Sequence, residues 1–366
     1  MVTILSSGKL QSFVHGGDIY SAASPLGQWL DFSANINPLG LSEGVKKAII
    51  AGIEGLVHYP DPRGRDLKQA ISASYHVPEQ AVVLGNGAAE LFYVYFHTRR
   101  PGRVLLPVPS FSEYEKAARS AGAEIRYFYL QEQEDFRLDF VRLQSEMAGC
   151  STVVLGNPNN PTGDLLGRED VVRFVESAGR AGIDVMVDES FLDFRSDRQL
   201  YSVADLAAAY DNLLVISSLT KAFAIPGLRL GYGVAAEGLA RELEFNKDTW
   251  NVNSLAQAAG IAALGDDVYR ERTLDFINQN VPYMAKRLRQ LAGLKVYEPS
   301  VNFVLLNLAG CGMESWQLAE KLRQRGVLIR DCSNYPGLDA RFVRVAVRGM
   351  EENRLMLQVL QDCLEV

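Results

Sequence analysis

The chain has little histidine, no paired cysteines, no excess of basic charge and no long apolar run. Its 366 residues carry 37 Lys and Arg against 44 Asp and Glu, a net charge of −7. Such a field repels nucleic acid and anionic membrane surfaces, so an anionic ligand must be gripped by a local arginine cluster working against it. With only four histidines and no H-E-x-x-H string, no metal site is expected. Cys150, Cys311, Cys332 and Cys363 lack C-x-x-C spacing, which predicts reduced thiols in a cytoplasm instead of a disulfide framework or zinc site. No stretch approaches the ~18 apolar residues of a membrane span, and the opening MVTILSSGKL is too short in apolar residues for a signal peptide. Internal repeats and low-complexity segments are absent from the sequence as well.

What is present is an ordinary globular composition, 48% hydrophobic, in a chain long enough for two domains at roughly 150 residues each. Residues 1–40 carry Gly and Pro punctuation, His15-Gly16-Gly17, Asn35 and Asn37-Pro38, and read as an irregular arm. A helix capped by Ser42 runs to about Gly52, and an amphipathic one from about Arg65 to Tyr75. Between them His58-Tyr59-Pro60-Asp61-Pro62 forms a rigid loop. Short apolar runs then alternate with helical stretches. Strands are predicted at Ala81 to Leu84, Val104 to Leu106, Ile125 to Leu130, Thr152 to Leu155, Ile183 to Val187 and Leu213 to Ile216. This is the pattern of a mainly parallel sheet covered by helices on both faces, where ligands bind beyond the carboxyl ends of the strands.

What each strand delivers there is chemically pointed. Leu84 leads into Gly85-Asn86-Gly87-Ala88-Ala89-Glu90, a glycine turn opening a helix, suited to an anion but neither a dinucleotide fingerprint nor a P-loop. The next strand leads to Phe111, a core residue by default, though an aromatic there can stack on a planar ring. Leu155 leads into the string GNPNNPTG containing Asn160. Val187 is followed by Asp188, costly to bury without a cation, and by Glu189 and Asp193, which read as structural or exposed. Finally Ser217 to Gly233 reads SSLTKAFAIPGLRLGYG, in which Ser218, Lys221 and Arg229 set an amine beside two groups able to hold an anion. A lysine carrying an aldehyde cofactor as a Schiff base needs that company.

Taken in order, these strings resemble the fold-type I pyridoxal phosphate enzymes, the aspartate aminotransferase superfamily. The resemblance implies a large α/β domain over 41–250, its mainly parallel sheet sandwiched by helices, and a smaller α/β C-terminal domain over 251–366. It implies that Lys221 carries the cofactor, Asp188 pairs with the ring nitrogen, Asn160 approaches the ring oxygen and Phe111 stacks on the ring. Ala88, Ala89, Ser218 and Arg229 would grip the cofactor phosphate. Tyr59 resembles the tyrosine that reaches that phosphate from a second subunit, which implies a homodimer.

Within the superfamily the chain resembles histidinol-phosphate aminotransferases and, more fully, the threonine-phosphate decarboxylases of the cobalamin pathway. The strings HGG at His15, DFSANINPLG at Asp31 to Gly40 and IRDCSNYPGLDARFVRVAVR at Ile329 to Arg348 carry that likeness. Phe191 stands three residues after Asp188, where the aminotransferases carry a tyrosine. In Arg341 to Arg348, alternation puts Val343, Val345 and Val347 on one face and Phe342, Arg344, Ala346 and Arg348 on the other. Arg344 then points toward a substrate carboxylate, and Arg330, ending a strand from Val327 to Ile329, would hold the substrate phosphate, with His15, Gly16 and Asn35 closing that end. The implied reaction is decarboxylation of O-phospho-L-threonine to (R)-1-amino-2-propanol phosphate. A histidinol-phosphate-type aminotransferase and a decarboxylase of O-phospho-L-serine stand as alternatives. A non-catalytic regulator of this fold is a remoter one, because the arm leaves no room for a basic helix-turn-helix.

Overall fold

The protein is described from a computed structural model, over residues 15–365. Among the described residues thirteen strands form three sheets. In chain order they are β1 (Leu30–Asp31), β2 (Val82–Gly85), β3 (Arg103–Val108), β4 (Glu124–Tyr129), β5 (Thr152–Gly156), β6 (Asp184–Asp188), β7 (Leu213–Ser218), β8 (Gly231–Ala235), β9 (Lys295–Val296), β10 (Phe303–Asn307), β11 (Val327–Leu328), β12 (Arg330–Asp331) and β13 (Phe342–Ala346).

The apolar runs become a seven-stranded sheet in the order β2-β8-β7-β6-β5-β3-β4. β3 through β7 pair in parallel and β8 runs antiparallel to both its neighbours. Because successive side chains alternate faces, each run feeds two cores. Val185, Val187, Leu213 and Val215 pack into one, while Met186, Leu214 and Ile216 pack into the other. A central strand that is apolar at every position is therefore buried on both faces, each such side chain contributing about 1.5–3 kcal/mol of transfer free energy. Ser42 Oγ accepts from Val45 N and caps the helix Glu43–Gly52, as expected.

Three features depart from the sequence reading. Strand β8 was not expected, because Gly231 and Gly233 weaken a strand. Gly231 is needed there: a Cβ on it would lie 2.4 Å from the Ala88 amide nitrogen, so the strand can pass the start of the helix Ala88–Arg99 only without a side chain. Second, the arm is not irregular throughout. β1 pairs in parallel with β11, Phe32 is fully buried, and Asn37 donates twice to the chain around Lys221, its backbone amide to Lys221 O at 3.0 Å and its Nδ2 to Ala222 O at 2.7 Å. Third, Arg330 does not end the strand it was read into. The chain leaves β1 at Leu328 and pairs again, antiparallel to β13, from Arg330.

The second sheet, β12-β13-β10-β9, is antiparallel. The helix Ser254–Leu264, C-terminal to the division expected at 250, packs on the helices Glu43–Gly52 and Arg65–Tyr75. No helix among the described residues is long and apolar enough to cross a membrane.

Candidate functional site

The carboxyl ends of β3, β5, β6 and β7 converge on a cavity of about 160 Å³ whose lining includes Ala88, Ala89, Phe111, Asn160, Asp188 and Lys221. Ser218 and Arg229 complete its far end. It adjoins a second cavity of about 200 Å³ lined by His15, Gly16, Asn35, Arg330, Tyr335 and Arg344. Phe111, Asn160, Phe191 and Lys221 line both. Every site residue read from the sequence thus meets here except Tyr59, which is exposed on the surface and stacks on Trp250 with ring centroids 4.5 Å apart.

Local structure explains each placement. Gly87 has φ +83°, and a Cβ on it would lie 2.4 Å from Arg229 Nη2. Glycine therefore supplies both the left-handed backbone and the room for the guanidinium. Glu90, at the position of a third glycine, closes the turn by accepting from Asn86 N at 2.6 Å and from Asn251 Nδ2 at 2.8 Å. Ser218 Oγ lies 2.7 Å from Thr220 Oγ1 just before Lys221.

Asp188 is buried and bonded at both oxygens. Oδ2 accepts from the Tyr114 hydroxyl at 2.6 Å, and Oδ1 accepts from Ser190 N at 2.9 Å. Lys221 stands in the same enclosure. Burial pushes its ammonium down to about 8, the charge of Asp188 opposing and those of Arg229 and Arg344 adding to the shift. Near neutral pH a useful share of the amine is therefore unprotonated and nucleophilic.

In the adjoining cavity Arg344 is buried, and burial pulls its guanidinium below the ordinary range. It donates to Ser33 O at 2.7 Å and to Asn160 Oδ1, while its Nε has no hydrogen-bond partner. Engaging the amide oxygen of Asn160 leaves that side chain's NH₂ as the donor available to a ligand oxygen. Arg330 lies over the Tyr335 ring, 5.1 Å from its centroid, and donates to Asn334 Oδ1 at 2.8 Å. His15 Nε2 lies 2.8 Å from Glu113 Oε1, and the rings of His15 and Phe111 are 5.7 Å apart.

Sequence reasoning missed Tyr114, Ser190, Thr220 and Tyr335. Two of them flank residues it did name, Phe111 and Asp188, but nothing local says that a tyrosine in one helix meets a carboxylate 74 residues on. Glu189 is buried and structural: its carboxylate accepts from Ser202 Oγ at 2.6 Å and Val203 N at 2.7 Å. Asp193 is likewise structural, accepting from the Tyr75 hydroxyl at 2.9 Å.

The lining fits pyridoxal phosphate. Lys221 is an enclosed amine with a lowered proton affinity, Asp188 is a buried carboxylate held by two neutral donors, the Tyr114 hydroxyl and the Ser190 amide, and Gly87 clears the space that Arg229 fills. Ser190 Oγ is a buried hydroxyl on the cavity wall with no protein partner.

Comparison with known proteins agrees with this geometry. The family model for class I and II aminotransferases matches residues 27–359. A threonine-phosphate decarboxylase of Salmonella typhimurium is 36% identical over 357 residues, covering 96% of each chain. Among solved structures, a histidinol-phosphate aminotransferase from Clostridium acetobutylicum superposes with a TM-score of 0.86 at 31% identity, covering 91% of this chain and 98% of that one. An L-threonine-O-3-phosphate decarboxylase from Porphyromonas gingivalis superposes with a TM-score of 0.81 at 27% identity, covering 92% and 99%. With a matched family model over most of its length, the chain belongs to the class I and II aminotransferases.

Proposed function

We propose that the chain is a pyridoxal phosphate-dependent decarboxylase of O-phospho-L-threonine, yielding (R)-1-amino-2-propanol phosphate, a precursor in cobalamin synthesis. The observation that carries this reading is that one amine lines two cavities. Lys221 borders both the cavity holding Asp188, Ser218 and Arg229 and the one holding His15, Arg330 and Arg344. A substrate with an amine between two anionic ends suits that arrangement.

When bound, pyridoxal phosphate supplies a ring that accepts the electron pair of a bond broken at the substrate Cα. Asp188 would hold a proton at the ring nitrogen, and Asn160 would donate to the ring oxygen. Backbone groups at Ala88 and Ala89, with Ser218 and Arg229, would hold the cofactor phosphate at a helix start. In the second cavity Arg344 would take the substrate carboxylate and Arg330 the substrate phosphate, each guanidinium pairing well with such oxygens. His15, Gly16 and Asn35 would exclude water from that end. Lys221 Nζ then delivers a proton to Cα after carbon dioxide has left. Phe191 supports this reading, since it withholds the phenol that the aminotransferases carry there.

The test is incubation of the pure holoenzyme with O-phospho-L-threonine, O-phospho-L-serine and histidinol phosphate side by side. Carbon dioxide released from phosphothreonine supports the proposal; a keto product without carbon dioxide sinks it. The fold match to the Clostridium enzyme makes the aminotransferase the second reading.

The same reading includes a homodimer in which Tyr59 reaches the neighbouring subunit's cofactor site. Its support is the run of exposed apolar side chains Ile50, Ile53, Leu56 and Val57 in the segment leading to Tyr59, which itself stacks on the exposed Trp250, since clustered exposed apolar surface marks an association face. Sedimentation of wild type and of Ile53→Asp checks it: the wild type should run as a dimer, the variant lighter.

A further inference from the structure

Tyr114 stands two residues into the helix Ser112–Ser120, 2% exposed, with its hydroxyl 2.6 Å from Asp188 Oδ2. Its ring is already held by packing that ignores the hydroxyl. The Phe92 and Phe111 rings meet it edge-on, with centroids at 5.0 Å and 5.6 Å and interplanar angles of 87° and 86°. Phenylalanine would fill that space and bury no polar group, so what the tyrosine adds is a hydrogen bond to a buried carboxylate.

That bond constrains Asp188 in a particular way. The Ser190 amide, from the turn after β6, holds Oδ1, and the phenol, from a helix on another part of the chain, holds Oδ2. Two donors fixed to different elements pin rotation about the carboxyl bond. They also draw negative charge toward themselves and away from whatever the carboxylate faces in the cavity. The phenol cannot exchange roles with the acid. Burial first, then the Asp188 charge, push its ionisation well above the ordinary tyrosine range, so it remains a donor at every working pH.

We propose that Tyr114 is a positioning residue for the cofactor ring: its hydroxyl fixes the Asp188 carboxylate and sets how strongly that carboxylate holds the proton on the ring nitrogen. This rests on the reading that Asp188 faces that nitrogen, and it goes beyond that reading by naming the group that tunes the acid. With the hydroxyl removed, the charge on Asp188 is concentrated on the side facing the ring. The ring proton would then be held more tightly, and Lys221 Nζ, joined to the cofactor's aldehyde carbon, would keep its own proton to higher pH.

The experiment compares holoenzyme of the wild type with Tyr114→Phe, reading the visible absorbance of the bound cofactor against pH, cofactor retention on dialysis, and thermal unfolding. The expected result is a folded variant whose absorbance midpoint lies higher by about one pH unit, equivalent to a tenfold change in the proton equilibrium. In an Asp188→Asn background the same substitution should move the midpoint little, because the interaction runs through the carboxylate. A midpoint unchanged by Tyr114→Phe in otherwise wild-type protein overturns the proposal. A wild type that takes up cofactor without any visible band overturns the reading of Lys221 beneath it. If the phenylalanine variant does not fold, 3-fluorotyrosine introduced at 114 alone keeps the ring and strengthens the donor. It must move the midpoint downward, and a midpoint that stays in place counts against the proposal equally.

Discussion

Lys221 Nζ lies over the face of Phe191, 4.9 Å from the ring centroid. An aromatic face attracts a cation, yet burial dominates and pushes the ammonium down to about 8. The sign of the pH dependence follows. In cofactor-free protein the neutral amine is the reactive form, so trapping of pyridoxal phosphate by borohydride reduction should accelerate as pH rises toward 8 and then level off. An ordinary lysine would go on accelerating to about 10.5, with a neutral fraction at pH 7 roughly 300-fold smaller. Mass spectrometry of the reduced peptide should find the label on Lys221 and none in Lys221→Ala.

Changing Phe191 to Tyr restores the phenol of the aminotransferase pattern beside the lysine. The ratio of keto product to carbon dioxide from phosphothreonine should rise severalfold. An unchanged ratio would show that this position does not govern the partition.

Arg344 joins the two cavities through Asn160 Oδ1 and Ser33 O. Its replacement by lysine keeps a charge but loses the fork, so at least one of those acceptors is left without its donor. Hydrogen bonds to charged groups contribute about 1.5–3 kcal/mol, and kcat/KM for phosphothreonine should fall by roughly 10- to 100-fold. Steady-state kinetics read this directly, and the cofactor's absorbance should shift too if Asn160 is released.

At Gly87 an added methyl would meet the Arg229 guanidinium at 2.4 Å, in a backbone conformation that L residues adopt reluctantly. Gly87→Ala should weaken cofactor retention, measured as the fraction of chromophore left after dialysis, while Gly122→Ala, also at positive φ but with nothing near its Cβ, should retain it.

Burial pushes the Glu189 carboxyl up to about 7, against the hydrogen bonds from Ser202 and Val203. A carboxyl whose folded value lies above its unfolded one binds more protons in the native state between the two. Stability should therefore fall as pH rises from about 4.5 to 7, by no more than ~3 kcal/mol from this group. In Glu189→Gln that slope should flatten, as thermal unfolding at pH 5 and pH 7 would show.

The candidate site residues that line the two cavities were legible because each is announced locally. A short apolar run that must be a buried strand, followed by Asp188, Asn160 or Lys221, says that the residue emerges at the carboxyl end of a parallel sheet. The six strands read from such runs all formed, with ends moved by one or two residues. The same local rule failed at Gly231–Ala235, where glycine is present because another segment's backbone passes there.

What the sequence by itself determined is the inventory of chemistry and its delivery to one sheet edge: an amine, an acid, an amide, an aromatic ring and a glycine turn, each following a strand. Tertiary structure alone decided which of them touch. Tyr114 reaches Asp188 across 74 residues, Arg344 reaches Asn160 across 184, and Asn37 ties the arm to the lysine's backbone across 185. Periodicity and propensity act over a few neighbouring residues, whereas these contacts arise only when sheets and helices have packed and closed the distance between remote segments.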